Sequence, residues 1–321
     1  MKKRIRIEEK EYTSRKRKTI IEVDMTNLIL AATLGDKIDS TFYAFDMAVY
    51  DIFAPLHSSF MNKVAMAFTS FGDEKFTICV VLLAVVLCLF KKTRKYGIAL
   101  GAAAVIGTGI TNVIAKPLIL RIRPYNTLQN VKEYWDCYIS AGAFSESDYS
   151  FPSGHTTGAF ELAVASSICL RKDGRKVLSI VPVVIAAFTA LSRIYLCVHY
   201  PTDVISATII GIFAGIVGYF IACALVKMIE KSPIDKIDLG EKIHIKGKGA
   251  AAAIVIYLFA AFAFAFGVQF FEGGDAKRCA YSNDTFTCYN EAKTDDKKYP
   301  AIDGKEYCKI HWKEIMGEGN D

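Results

Sequence analysis

The sequence predicts an all-α fold: a polytopic transmembrane helical bundle of six spans, with a candidate seventh in 42–68 and a small extracytoplasmic C-terminal module. Three observations carry that expectation. Of the 321 residues, 52% are hydrophobic and 22% charged, and mean hydropathy is +0.27. Between Phe76 and Phe271, nearly uncharged stretches of 15 to 23 residues recur, each fenced by Lys, Arg, Asp or Glu. A bilayer core needs about 20 apolar residues per helix. The runs are too long for strands and lack period-two alternation. Finally, the short connections after alternate stretches are strongly basic. Together these exclude a simple soluble domain and a disordered or fibrous chain.

Residues 1–18 carry nine Lys/Arg against three Glu, a surplus equal to the net charge of the whole chain, +6. Beside membrane spans, such an arm (1–39) reads as cytoplasmic and close to anionic lipid rather than as a nucleic-acid ligand. No apolar run or small-residue cleavage site follows it as in a signal peptide. Segment 42–68 is apolar and aromatic but holds Asp46, Asp51, Pro55, His57 and Lys63, so it is either an interfacial helix or an imperfect crossing. The six expected spans are Phe76–Phe90, Tyr96–Ala115, Thr156–Leu170 (interrupted by Glu161), Val177–Ser192, Val204–Val226 and Gly249–Phe271. Loops 91–95 and 171–176 and the linker 229–248 are rich in Lys and Arg, which places them inside. Loops 116–155 and 193–203, and the tail 272–321, then face outward.

Three outward clusters carry unusual polar residues. Lys116 and Arg123 stand seven apart, two helical turns and hence one face, with Arg121 between them. They bind an anion or, as Arg121 is expected to do, snorkel at a helix end. Pro152-Ser153-Gly154-His155 precedes an apolar run, so it is a helix start: an ordinary N-cap, or an anion site built from backbone N–H groups. In Ser192-Arg193…His199…Asp203, the carboxylate four residues on can fix the imidazole tautomer and leave the other ring nitrogen as nucleophile or base. The plainer reading is a satisfied interfacial pair. Taken together, the clusters bring Lys116, Arg123, Arg193, His155, His199 and Asp203 to one membrane level. Phosphoryl transfer needs such a set: cations for the equatorial oxygens, a nucleophile and an acid.

The ordered set Lys116…Arg123-Pro124, Pro152-Ser153-Gly154-His155 and Ser192-Arg193…His199…Asp203 resembles the signature of the type 2 phosphatidic acid phosphatase superfamily. The likeness covers roughly residues 40–228, which it makes the phosphatase core, with 249–271 an additional transmembrane helix. It implies that His199 is a nucleophile forming a phosphohistidine, oriented by Asp203. His155 would protonate the leaving oxygen and later activate water. Lys116, Arg123, Arg193, Ser153 and Gly154 would bind the phosphate. It implies no catalytic metal and a lipid phosphate or diphosphate substrate: undecaprenyl diphosphate, phosphatidic acid or phosphatidylglycerol phosphate. The alternatives are a lipid phosphotransferase using the same intermediate and a transporter that only binds the lipid phosphate. Glu161, six residues after His155, is either a partner of the site or an interfacial residue facing another helix. Loop 125–151, with Tyr125, Tyr134, Trp135, Tyr138, Phe144 and Tyr149, either shapes substrate entry or forms an interfacial aromatic belt.

The tail is polar, with eight Lys/Arg and eleven Asp/Glu. Cys279, Cys288, Cys308 and His311, spaced C-x8-C-x19-C-x2-H, resemble small zinc-knuckle modules and could hold a structural zinc. With Cys137 also outside, two disulfides are the competing expectation. Cys79, Cys88, Cys169 and Cys223 fall inside spans and read as packing residues.

Overall fold

The computed structural model describes residues 33–236, 238–240, 247–272, 278–282, 287–292 and 299–317. Most of the basic arm, and Lys242 and Lys246 of the linker, lie outside the described residues. Ten helices of eight or more residues are described. Helix α1 (Leu34–Phe53) opens with a reciprocal cap between Thr33 and Asp36. It stops just before Pro55, and α2 (Ser59–Thr69) restarts at the Ser58 cap. Segment 42–68 is therefore the end of one helix and most of a second, joined by a tight turn, rather than one continuous helix. Asp73 caps α3 (Glu74–Cys88). Helix α4 (Arg94–Thr108) continues through a wide turn, Gly109–Ala115, into Lys116–Ile119. It ends where Leu120 takes a left-handed conformation (φ 57°).

Beyond lie a one-turn helix, Pro124–Thr127, and α5 (Lys132–Ser140) in the loop. Then come α6 (Gly154–Lys172), α7 (Ile180–Tyr195), α8 (Pro201–Ile229), α9 (Gly247–Glu272) and, in the tail, α10 (Lys309–Met316).

Of the six expected spans, three helical stretches are long and apolar enough to cross a bilayer: Arg94–Thr127, Pro201–Ile229 and Gly249–Val268. Helices α3 and α7 are 15 and 16 residues long. Helix α6 has the length, but Glu161, four hydroxyl residues and a closing Arg171-Lys172 make it polar. Helix α6 is buried among its neighbours, while α3 and α7 each turn an apolar face outward, with Leu82 and Val85 on one and Ile180 and Phe188 on the other. Val105, Ile209, Phe220, Val255 and Phe259 point outward, more than 60% exposed, as a lipid-facing girdle does.

Helix α8 is the centre, lying against α4 on one side and α6 on the other. Small residues allow that approach. A Cβ on Gly211 would fall 2.6 Å from Phe160 Cβ, one on Gly215 2.6 Å from Val164 Cβ, and one on Gly218 2.7 Å from the Ala99 carbonyl. Without water to drive helices together inside a membrane, such close packing supplies the attraction. The basic loops gather at one end: Lys91 and Arg94 pair with Asp235, and the Tyr96 hydroxyl donates to Asp173. Each of α4, α6, α7 and α8 runs from that end to the level of Lys116, Gly154, Tyr195 and Pro201.

Gly215→Leu forces α6 and α8 apart, so it is expected to lower the detergent-solubilised protein's midpoint of thermal unfolding, at a cost of about 3 kcal/mol or more. Gly101→Leu, at a position with open space around it, is the control.

Candidate active site

The deepest feature is Arg121. Its side chain is fully buried, and the left-handed turn at Leu120 aims it inward instead of along the helix. Nε reaches Asp39 at 2.7 Å, Nη2 reaches Asp46 at 2.8 Å and Nη1 reaches Asp203 at 2.5 Å. Nη1 also donates to Thr202 Oγ1, and the guanidinium lies 3.7 Å over the Tyr200 ring. Arg121 does not snorkel: three carboxylates and a ring hold it, because a buried cation must be paired.

Asp203, so fixed, faces His199. Its Oδ2 lies 3.5 Å from His199 Nδ1 and accepts from Ser150 Oγ at 2.5 Å and from the Tyr200 N–H at 3.0 Å. On the ring's other side, Arg123 Nη1 is 3.1 Å from Nε2. A guanidinium can only donate, so Nε2 presents its lone pair and Nδ1 carries the proton toward Asp203. Two tyrosines hold the loop backbone: Tyr50 donates to the His199 carbonyl at 2.9 Å and Tyr134 to the Cys197 carbonyl at 2.5 Å. Burial, and then the charge of Arg123, push His199 down to about 4.

Lys116 and Arg123 do converge, but not on one helix face. The helix ends at Leu120, and Arg123 sits in extended backbone. What joins them is Asp148: Lys116 Nζ meets Oδ2 at 2.6 Å and Arg123 Nη2 meets Oδ1 at 2.6 Å. Glu146 takes Arg123 Nη2 on one oxygen, at 2.6 Å, and Arg193 Nη2 on the other. Burial alone would raise both carboxyls, but Arg123 and Arg193 hold Glu146, and Lys116 and Arg123 hold Asp148, below the usual carboxylate range. Arg193 Nη1 donates to Thr69 Oγ1 at 2.7 Å, tying the site to the end of α2.

His155, in the first turn of α6, lies 3.9 Å from Glu146 through Nδ1 and 3.9 Å from Asp73 through Nε2. Nε2 is buried with no hydrogen-bond partner. Ser153 caps α6, accepting from Thr156 N–H and Oγ1, and Gly154 leaves open space 3.6 Å from Lys116 Nζ at the point where a Cβ would stand.

Every residue expected at the site thus lies in one cluster. Sequence reasoning missed Arg121's burial and the parts of Asp39, Asp46, Ser150, Glu146 and Asp148. Two acidic residues in the loop facing three cations were the available signal. Glu161 is buried against α4, accepting from Thr108 Oγ1 at 3.2 Å beside Gly107, so it belongs to the helix interface. Tyr125, Tyr134 and Tyr138 are buried and stack beneath the loop, not in an interfacial belt. In the tail, the thiols of Cys279, Cys288 and Cys308 and the His311 ring converge, with ligand atoms within 4.8 Å of one another. None of the nine cysteines is bridged to another.

Residues 93–227 match the family model of the PAP2 superfamily. Lipid A 4'-phosphatase of Bacteroides thetaiotaomicron is 34% identical over 176 residues, 53% of this chain and 73% of that protein. The chain belongs to the PAP2 superfamily. Undecaprenyl-diphosphatase of Sulfolobus acidocaldarius, matched by this PAP2 chain, is 29% identical over 182 residues, 56% of this chain and 75% of that protein. A crystal structure of a transmembrane PAP2-type phosphatidylglycerolphosphate phosphatase from Bacillus subtilis aligns with a TM-score of 0.45 and 22% identity, over 64% of this chain and 94% of that one.

Arg121→Met leaves Asp46 and Asp203 buried without their cation. The expected loss is about 3–5 kcal/mol of stability, read as a lower unfolding midpoint. An unchanged midpoint would remove Arg121 from its structural part.

Proposed function

We propose that this PAP2 chain is a membrane lipid phosphatase that works through a phosphohistidine on His199. The observation that carries the reading is that three buried cations, two imidazoles and a carboxylate meet around one small volume. Within it, Glu146 and Asp148 take up Lys116, Arg123 and Arg193 as a phosphate's oxygens would. An arriving phosphate replaces the two carboxylates on these cations and enters between Arg123 and His199. Nε2 then attacks phosphorus, and the bond from phosphorus to the lipid oxygen breaks. Burial and then the charge of Arg193 hold His155 low in the free site. The negative charge of the bound phosphate, with the Asp73 carboxylate 3.9 Å from Nε2, raises it, and protonated His155 gives that oxygen its proton. Neutral His155 next takes a proton from water, the hydroxide attacks phosphorus, and the P–N bond breaks to free inorganic phosphate and His199. Asp203 stabilises the charged His199 ring throughout. Charge on the phosphoryl oxygens is met by fixed cations and the Gly154 N–H, so no step is assigned to a metal.

The substrate class follows from the setting. A site at the rim of apolar helices suits an amphiphile with a phosphate or diphosphate head, and the relatives named for lipid A and for undecaprenyl diphosphate share that chemistry. The basic loops lie at the opposite end of the bundle, and the positive-inside rule puts them in the cytoplasm and the site on the outer face. Transfer to a second lipid in place of water, or binding without turnover, are the competing outcomes.

Phosphate release from undecaprenyl diphosphate, phosphatidic acid, phosphatidylglycerol phosphate and lipid A is the test, with and without a chelator. The expectation is chelator-resistant release from at least one, lowered by about a thousandfold or more in His199→Ala. No release by folded protein would overturn simple hydrolysis. The acid limb of kcat/KM, corrected for the substrate's own ionisation, is expected near pH 4, because His199 stays neutral until its lowered pKa is crossed. A limb near 6.5 would contradict the buried, Arg123-facing ring.

A further inference from the structure

The tail holds three thiols and an imidazole that the reaction does not use. His311 Nδ1 is 3.5 Å from Cys279 Sγ and 3.3 Å from Cys308 Sγ, and Cys288 Sγ is 4.0 Å from Cys308 Sγ. Zinc bonds of about 2.3 Å to sulfur and about 2.0–2.1 Å to nitrogen make tetrahedron edges of about 3.8 Å between sulfurs and about 3.6 Å from sulfur to nitrogen. The three spacings lie within a few tenths of an ångström of such edges, and all four ligand atoms lie within 4.8 Å of one another. All four residues are buried, and the His311 ring is held flat on Tyr281, centroids 3.9 Å apart. Asn290 Nδ2 donates to Cys308 Sγ at 3.5 Å, as a group that orients a thiolate ligand does. Apart from these thiols, the described residues of the module bury Trp312 and Ala292 and half-bury Tyr281, Tyr307 and Ile310. Outside α10 its described backbone pairing is three isolated bridges, and a module this small is of the kind that a metal staples.

The same Asn290 reaches the active site. Its Oδ1 accepts from Tyr125 OH at 3.0 Å and from Asn126 Nδ2 at 2.9 Å. The Tyr125 hydroxyl, its one proton given to Asn290, in turn accepts from the Glu146 N–H at 3.0 Å. The Glu291 N–H donates to the Glu146 carbonyl at 3.2 Å, and Arg278 Nη2 to the Ala143 carbonyl at 2.6 Å. One short path therefore joins the thiol cluster to the carboxylate that bridges Arg123 and Arg193.

We propose that Cys279, Cys288, Cys308 and His311 bind one zinc ion, and that the zinc-bound tail braces the Glu146 loop of the active site, with Asn290 as the positioning residue. Soft thiolate ligands with an imidazole in a tetrahedron select zinc over hard cations such as magnesium or calcium. The bracing half rests on the phosphatase reading; the metal half does not.

The test uses the purified full chain in detergent. Metal analysis is expected to give about one zinc per chain, lost in Cys308→Ser, and cobalt exchange to give a tetrahedral thiolate spectrum. Amide exchange over 124–148 is expected to quicken when zinc is chelated from the wild type. It is also expected to quicken in Asn290→Ala, which keeps its zinc. In that variant KM is expected to fall on the order of tenfold, with kcat changed little, because a loosened Glu146 loop competes less with the phosphate for the cations. Zinc-free folded protein, or Cys279, Cys288 or Cys308 oxidised in disulfides, would overturn the metal site. Zinc present, with exchange over 124–148 unchanged by chelation and by Asn290→Ala, would overturn the bracing. Both readouts hold whether or not a phosphatase substrate is found, so loss of the phosphatase reading shows separately as absent turnover.

Discussion

Arg121 and its three carboxylates are what the site stands on. The guanidinium joins α1 through Asp39 and Asp46 to the start of α8 through Asp203. A buried cation must be surrounded by acceptors, and the acceptors here come from two distant parts of the chain, α1 and the start of α8. The consequence reaches the chemistry in one step. Asp203 cannot rotate away from His199 while Arg121, Ser150 and the Tyr200 N–H hold its two oxygens. The imidazole is thereby kept in one tautomer, with its lone pair toward Lys116, Arg123 and Arg193.

The second constraint is charge balance among those cations. Three of them packed within reach of one phosphate repel each other when the site holds no substrate. Glu146 and Asp148 neutralise that repulsion, and both come from the same short loop. A phosphate and the loop then compete for the same partners, so substrate affinity depends on what holds the loop. Tyr125 holds it from the bundle side, accepting from the Glu146 N–H. The tail contacts it from the other.

Much of this was legible in the sequence because the chemistry is concentrated in three short strings with fixed spacing. Pro152 to His155 and Ser192 to Asp203 announce a helix start and an outward turn, and the structure places them side by side. Arg121 was not legible: helical phase puts it at a lipid-facing end, and only the left-handed Leu120 turns it inward. Asp39 and Asp46 were unreadable for the same reason, since their partner lies some eighty residues on. Three of the six expected spans are met by helices long and apolar enough to cross; α3 and α7 are apolar but short, and α6 has the length but carries Glu161 and is buried among its neighbours. The Lys116–Arg123 pair was right as a pair for a reason the helical period does not contain.

The central claim is that His199 carries the phosphoryl group. Its most direct test is rapid mixing of His155→Ala protein with a radiolabelled lipid phosphate bearing a good leaving group, quenched in alkali and mapped by peptide. Such a substrate needs no acid for the first step, while loss of His155 slows the attack of water, so the intermediate accumulates. The account predicts acid-labile, base-stable label on the peptide containing His199 and none in the double variant His155→Ala, His199→Ala. Label on another residue, or turnover with no labelled protein, would contradict it.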